Sequence, residues 1–512
     1  MSNTAVLNEG IQGLHGMTAG NPPTYHNYID GQWVPASSGK TFEDRSPANN
    51  DDIVGLFPAS DKSDMDKAVA AAKKHYDSWR LTPAPKRAEI LFKAGQLFTE
   101  RKEAYAQLLT REMGKVLAEA RGDIQEVIDM VFYAAGEGRR LFGQTTPSEL
   151  KNKFCMTVRM PIGVVGCITP WNFPMAIPSW KVAPALVAGN TVVLKPASDT
   201  PLMCHLLVNT FLDAGIPPGV LNLVYGSGGV LGDAMINNPD VRVVSFTGSS
   251  EVGRLVNSGC APTFKRVSLE MGGKNATIVM NDANLDLAVE GITWGAFGTT
   301  GQRCTATSRV IVERGVHAAL RDKLVERAKK LRVGDGLLAT TDVGPLINKA
   351  SRDKVIEYVE IAQKEDGATL LCGGNVVEGN GWFFEPTIFD NVTSKMRIAK
   401  EEIFGPVLAI IPVDSIEEAF AVSNDIDYGL STSIYTKNVN QAFVAMRELD
   451  AGITYINAPT IGAEVHLPFG GTKATGNGHR EAAETCLDCF TEWKTIYIDY
   501  SDTLQRAQID ND

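Results

Sequence analysis

The chain has 512 residues, 44% of them hydrophobic and 21% charged, the proportions of a soluble globular enzyme. Such a length allows about three structural units and excludes a disordered tail protein, a fibrous repeat or a disulfide scaffold. A net charge of −11 argues against binding the phosphate backbone of a nucleic acid.

The eight cysteines, scattered from Cys155 to Cys489, read as cytosolic thiols, so a cytoplasmic setting is expected. The N-terminus lacks a charged start followed by an apolar core, and no run nears the roughly 18 apolar residues of a membrane span. The first twenty-odd residues show no periodicity and are expected to form a loose arm. Residues 27–34 (NYIDGQWV) read as strand, turn and strand, with Asp30-Gly31 at the turn. A helix follows, with Ser63 as its expected cap and Asp66 three residues on; Met65, Val69, Ala72, Tyr76 and Trp79 line one face. A second long helix begins near Pro85.

From residue 162 short apolar runs alternate with helix-length segments: 162–169 (IGVVGCIT), 191–195 (TVVLK), 219–225 (GVLNLVY) and 241–246 (VRVVSF). Strands apolar along their whole length imply a parallel sheet covered on both faces, which binds ligands beyond its carboxyl ends. A second α/β unit starts near Lys274, with strand candidates 276–280 and 309–312 and a helix at 317–331; residues 493–500 form a last strand before a polar tail.

Chemistry is therefore sought after the strands. Asn172, in a proline-bounded loop, offers the fixed amide donor that an oxyanion needs, and Trp171 and Phe173 flank it. Lys195 ends a strand, where an ammonium suits ribose hydroxyls or a phosphate. Residues 246–253 (FTGSSEVG) make a Gly/Ser turn into a helix, whose free N–H groups and dipole suit a pyrophosphate. Glu270 ends a strand before Gly272-Gly273, placed for general-base work through a water. Cys304 follows a glycine-rich loop whose N–H groups favour a nucleophilic thiolate. Each signal alone is commonly structural; their order and spacing carry the weight.

In that order, TPWNFP (169–174), LKPA (194–197), FTGSSEVG (246–253), LEMGGK (269–274), GQRC (301–304), EEIFGPV (401–407) and PFGG (468–471) resemble the NAD(P)-dependent aldehyde dehydrogenase family from residue 25 to about 498. Glu270 and Cys304 stand 34 positions apart. The resemblance implies an α/β fold of two doubly wound parallel-sheet domains plus a small β oligomerisation element. Its divisions would be residues 1–145 and 162–272 for the cofactor domain, 146–161 for oligomerisation strands, 273–475 for the catalytic domain and 476–512 for a last strand and tail. It implies Cys304 as nucleophile, Glu270 as deacylating base, Asn172 as oxyanion donor, and Lys181 and Glu481 as a proton relay. Thr169, Trp171, Lys195, Ser198, Gly248, Ser249, Glu402 and Phe404 fall on the cofactor side, and Phe173, Ile177, Trp180, Arg303 and Phe469 on the substrate side.

The implied reaction is oxidation of an aldehyde to its acid through a Cys thiohemiacetal and thioester, with NAD or NADP. Residues 462–481 resemble semialdehyde-oxidising members. Ser198 stands where NAD-preferring relatives commonly carry glutamate, which points to NADP, although Asp199 would restore NAD selectivity if it faced the ribose. Arg303 either faces a substrate carboxylate or makes a salt bridge behind the loop, and His466 lies in the loop leading to the pocket wall. A coenzyme-A-acylating enzyme is disfavoured by Glu270, which would waste the thioester on water, and a non-catalytic structural or binding protein by the presence of both nucleophile and base. Cys486 and Cys489, without a second pair or a nearby histidine cluster, do not suggest zinc. The expected partners are a small aldehyde and copies of the same chain, as a homodimer or homotetramer, with no nucleic acid and no membrane.

Overall fold

Strands that are apolar on both faces can be buried only between helices, and residues 164–270 follow that rule. In the computed structural model, which describes residues 14–510, Val164–Ile168, Thr191–Lys195 and Leu221–Leu223 are buried at every position. They pair in parallel with one another and with Val241–Thr247 and Arg266–Glu270. The sheet has seven strands, in the order Arg266–Glu270, Val241–Thr247, Val164–Ile168, Thr191–Lys195, Leu221–Leu223, Asn27–Ile29, Gln32–Val34. The last two form the expected hairpin and join antiparallel, so the sheet is not parallel throughout. A two-residue turn can connect only antiparallel neighbours.

The chain runs outward from Val164–Ile168 on one side, then returns to its other side as Val241–Thr247. That reversal makes a topological switch point, and the crevice beyond it is bounded by residues 169–174 and 247–249.

A second seven-stranded sheet is ordered Thr369–Cys372, Thr387–Asp390, Val407–Val413, Thr307–Glu313, Asn275–Val279, Ser431–Tyr435, Ile453–Ile456, antiparallel only at its first pair. It presents the amino ends of Asn275–Val279 and Thr307–Glu313 to the crevice, because Glu270 ends one sheet and Asn275 opens the other. A three-stranded antiparallel sheet combines Gln144–Pro147, Lys153–Pro161 and Thr491–Asp499. Among the described residues no helix is long and apolar enough to cross a membrane.

Two local expectations are corrected. The helix Lys62–Leu81 is capped by Asp61 in a reciprocal box with Asp64, two positions before Ser63, because the chain enters with Asp61 extended. The arm stops short of residue 20: Met17–Thr18 pairs with Thr24–Tyr25, and the His15 N–H donates to Asn209 Oδ1 at 3.0 Å. Residues 1–13 of that arm lie outside the described residues.

Asn190, fully buried, ties three segments together. Its carbonyl accepts the N–H groups of Ile162 and Gly163 at 2.8 and 3.0 Å, and its amide donates to the carbonyls of Ala185 and Phe490 at 3.2 and 2.9 Å. Asn190→Ala leaves the Gly163 N–H, the Phe490 carbonyl and the part-buried Ile162 N–H without this partner, while the Ala185 carbonyl keeps the backbone N–H of residue 190; each buried group costs roughly 1–3 kcal/mol when left unsatisfied. The expected outcome in scanning calorimetry is a melting temperature at least about 4 °C lower, since about 1 kcal/mol shifts a domain of this size by 2–4 °C.

Candidate active site

The crevice at the switch point is a cavity of about 250 Å³ walled by Trp171, Asn172, Ile177, Gly248, Ser249, Cys304, Glu402 and Phe404, among others. Sequence distance and strand order thus converge on one place. Against it lies a second chamber of about 110 Å³, which holds Glu270 and shares Cys304 with the first. All five expected pocket residues, Phe173, Ile177, Trp180, Arg303 and Phe469, line this chamber. Trp180 and Phe469 meet edge to face at 5.2 Å.

Glu270 ends its strand buried, and neither carboxylate oxygen has a hydrogen-bond partner. Burial, then the nearby Glu481 carboxylate, pushes its pKa well above the usual carboxylate range. Gly470, at φ +146°, leaves room for it: a Cβ there would lie 2.5 Å from Oε1. Behind the base, buried Lys181 donates to Glu481 and, at 3.1 Å, to Ser245 Oγ.

The Cys304 thiol is pushed up to about 12, first by burial, then by the Glu270 and Glu402 carboxylates, with the Thr305 N–H opposing. Asn172 Nδ2 donates to the Gln302 carbonyl at 3.1 Å, which fixes that amide beside the cysteine. The loop before Cys304 is strained: Thr299 and Thr300 sit at φ 49° and 58°. Glu119 holds it there, accepting from the Thr299 N–H and hydroxyl at 2.7 and 3.0 Å and from Arg303 Nη2 at 2.7 Å. Arg303 therefore makes the expected salt bridge, half-buried with Glu119, and it also lines the chamber. His466 stands outside in a vestibule, 3.5 Å from Glu464.

Glu402 accepts the Gly273 N–H at 2.9 Å, and Phe404, at φ 62°, sets its ring edge-on to Trp171 at 5.4 Å. Ser249 caps the helix Ser250–Cys260, while the Gly248 N–H donates to the Glu270 carbonyl at 3.1 Å and so is not free for a ligand. Thr169, Lys195 and Ser198 lie beyond the walls of this cavity. Lys195 is 4% exposed and lowered to about 8 by burial, and its Nζ ends 3.7 Å from where a Cβ of Gly228 would be, at the start of the helix Gly228–Asn237. The Ser198 hydroxyl donates to the Gly226 carbonyl, and Asp199 is engaged by Asn348 Nδ2 at 2.9 Å. Thr169 supports this edge through its N–H to the Lys195 carbonyl.

The profile of the aldehyde dehydrogenase family matches residues 33–496. The chain belongs to the aldehyde dehydrogenase family. It is 45% identical to an alpha-ketoglutaric semialdehyde dehydrogenase of Bacillus subtilis, covering 93% of this chain and 98% of that one, and 44% identical to an alpha-ketoglutarate semialdehyde dehydrogenase of Haloferax volcanii, covering 93% and 99%. Among solved structures, an NAD-dependent aldehyde dehydrogenase from Sinorhizobium meliloti superposes with a TM-score of 0.92 at 38% identity, over 94% of this chain and 96% of its own. An NADP-dependent enzyme of E. coli gives 0.90 at 39%, over 93% and 98%. This aldehyde dehydrogenase is thus an oxidoreductase that acts on aldehydes with NAD or NADP.

The dehydrogenase site fits a dinucleotide. A helix N-terminus and an acid cradled by a glycine lie along one crevice, with the buried Lys195 beyond its wall. A Cβ on Gly272 would sit 2.2 Å from Glu402 Oε2, so the space beside that carboxylate exists only because residue 272 is glycine. Gly272→Ala should displace the flexible Glu402 end without unfolding the chain. The expected result is cofactor affinity weakened about tenfold, the value of one lost hydrogen bond, with an unchanged circular dichroism spectrum; calorimetric titration of NAD and NADP checks it.

Proposed function

We propose that this enzyme oxidises a semialdehyde, an aldehyde with a carboxylate at its far end, to the corresponding acid through a thioester on Cys304. The observation that carries the reading is the shared chamber, in which Cys304 and the unpaired Glu270 face the same space as Arg303. The names of the two relatives agree with it.

The thiol must lose its proton before it attacks, and the positive charge of a bound cofactor would favour the thiolate, which leaves Glu270 for the deacylation step. The oxyanion formed on the aldehyde accepts from Asn172 Nδ2 and from the Cys304 N–H, which has no partner among the described residues. The cofactor, when bound, supplies a hydride acceptor and a positive charge close to both groups. Glu270 then takes a proton from water as it attacks the thioester. Lys181 and Glu481 pass that proton outward. Lys195 and the Ser249 turn hold the adenosine ribose and pyrophosphate, with Glu402 and Phe404 at the nicotinamide end. The unpaired outer edge of Thr491–Asp499, which exposes Trp493 and Tyr497, is the surface for pairing with other copies of the chain as a dimer or tetramer. Eight free cysteines suit a reducing cytoplasm.

Three measurements test this. Cys304→Ala should abolish oxidation, whereas Glu270→Gln should release one equivalent of reduced cofactor per site and then stall; steady turnover by Cys304→Ala at the native rate would refute the assignment. The native enzyme should favour a carboxylated aldehyde over an uncharged one of equal length by about tenfold or more in kcat/KM, the value of one charge-assisted bond.

The third concerns cofactor choice. With Ser198 in place of a carboxylate and Asp199 engaged by Asn348, the repulsion of a 2′-phosphate is reduced to the Asp199 charge near Lys195, and NADP should be accepted. Lys195 is protonated below about 8 and loses its charge above it. NADP affinity should therefore fall as pH rises from 7 to 9.5, with NAD affinity nearly constant, in titrations at constant ionic strength; parallel curves would exclude Lys195 as the phosphate partner.

A further inference from the structure

Glu126 projects from the helix Leu117–Glu137 at the junction of two spaces. It lines the inner chamber with Cys304, Trp180 and Phe469, and also a vestibule of about 640 Å³ with Asp129, Tyr133 and Glu464. Any aldehyde that reaches the thiol from the vestibule passes it. Its carboxyl makes no hydrogen bond to any described residue, whereas the other acids of this helix face are bound. Asp123 accepts from Lys115 Nζ and the Ala176 N–H, and Glu119 accepts from Thr299 and Arg303.

Arg303 is the complementary case. Its Nε donates to Thr299 and its Nη2 to Glu119, which leaves Nη1 without a partner among the described residues, on a wall of the same chamber. The chamber therefore holds one unspent donor on a cation at its wall and, at the vestibule end, the unspent carboxyl of Glu126, apart from the Glu270 and Glu481 carboxyls that also line it.

Resting on the semialdehyde reading above, we infer that Glu126, in its protonated form, is a specificity-determining residue that donates its O–H to the distal carboxylate of the substrate while Arg303 Nη1 donates to the same group. A carboxylate accepts both bonds, and an O–H to a carboxylate is among the stronger hydrogen bonds available. A cationic aldehyde would instead need an ionised Glu126 beside the Arg303 charge, and an uncharged one would leave both donors unused. Burial, then Asp123, holds the Glu126 carboxyl up at about 8, with Lys115 and Arg303 opposing and Asp129 adding to the rise. On the vestibule side stand Glu464 and His466, and across the chamber Glu270 and Glu481. The acid is therefore neutral at pH 7 and ionises above 8, where it repels the carboxylate it had bound.

The test compares kcat/KM for three aldehydes of equal chain length, ending in carboxylate, methyl or ammonium, at saturating cofactor and at pH 7 and 9. Taking the carboxylate-to-methyl ratio divides out any general effect on the reacting centre. In the native enzyme that ratio should fall five- to tenfold between pH 7 and 9, as free-enzyme Glu126 ionises. Glu126→Ala should lower the ratio at pH 7 about tenfold. Glu126→Gln, whose amide still donates but does not titrate, should keep most of it and make it independent of pH. No native preference for the carboxylated aldehyde would overturn the semialdehyde reading itself. A preference that survives Glu126→Ala with its pH dependence intact would overturn only the role of Glu126. A native preference for the ammonium-ended aldehyde would show an ionised Glu126 and overturn the inference.

Discussion

A buried carboxyl group without a hydrogen bond costs roughly 1–3 kcal/mol, and Glu270 is held in that condition by everything around it. Satisfied, it would be a poor base; solvated, it would admit water to the thiohemiacetal before hydride has left. The strand Arg266–Glu270 fixes its backbone, Gly470 yields the space for its side chain, and Lys181 with Glu481 supplies charge one layer behind. The same dryness pushes the Cys304 thiol up. Burial thus works against the charged form of both groups, and in the proposed reaction a positive charge in the crevice would favour the reactive form of each. Dependence on the cofactor follows from the dielectric of the site as much as from the redox chemistry.

Position is secured by a separate device. Two consecutive threonines in left-handed geometry before Cys304 would relax if left to themselves. Glu119 prevents this from the helix Leu117–Glu137 by binding both the loop backbone and Arg303. One carboxylate thereby holds both the loop before Cys304 and an arginine of the chamber wall, so in the proposed reaction the geometry of attack and the polarity of the pocket are adjusted together.

Much of this was visible in the sequence, and the gaps have physical causes. The strand Thr191–Lys195 is bounded as read, because an uninterrupted apolar run between helices has one place to go. The antiparallel attachment of residues 27–34 was not readable, since the turn specifies a hairpin and not the sheet it joins. Cys304, Glu270 and Asn172 announce themselves through loop glycines and strand ends. Glu119 and Glu126 do not, because acids at helical spacing look like a solvated face. Ile124, Val127 and Val131 mark one buried stripe of that helix while Arg121, Gly122 and Asp129 stay exposed, so the pattern alone does not separate Glu119 and Glu126 from the solvated side. The contact of Lys181 with Glu481 spans 300 positions and needed the fold.

Asn190 reaches from the start of the first sheet to the carbonyl of Phe490, and Glu270 is walled by residues 469–481. On the ribosome both sheets can pair while those last segments are still inside the exit tunnel. The chamber is then open on one side, and the base is wet. An enclosed site is thus among the last parts of the chain to form, because its walls wait for residues 469–490.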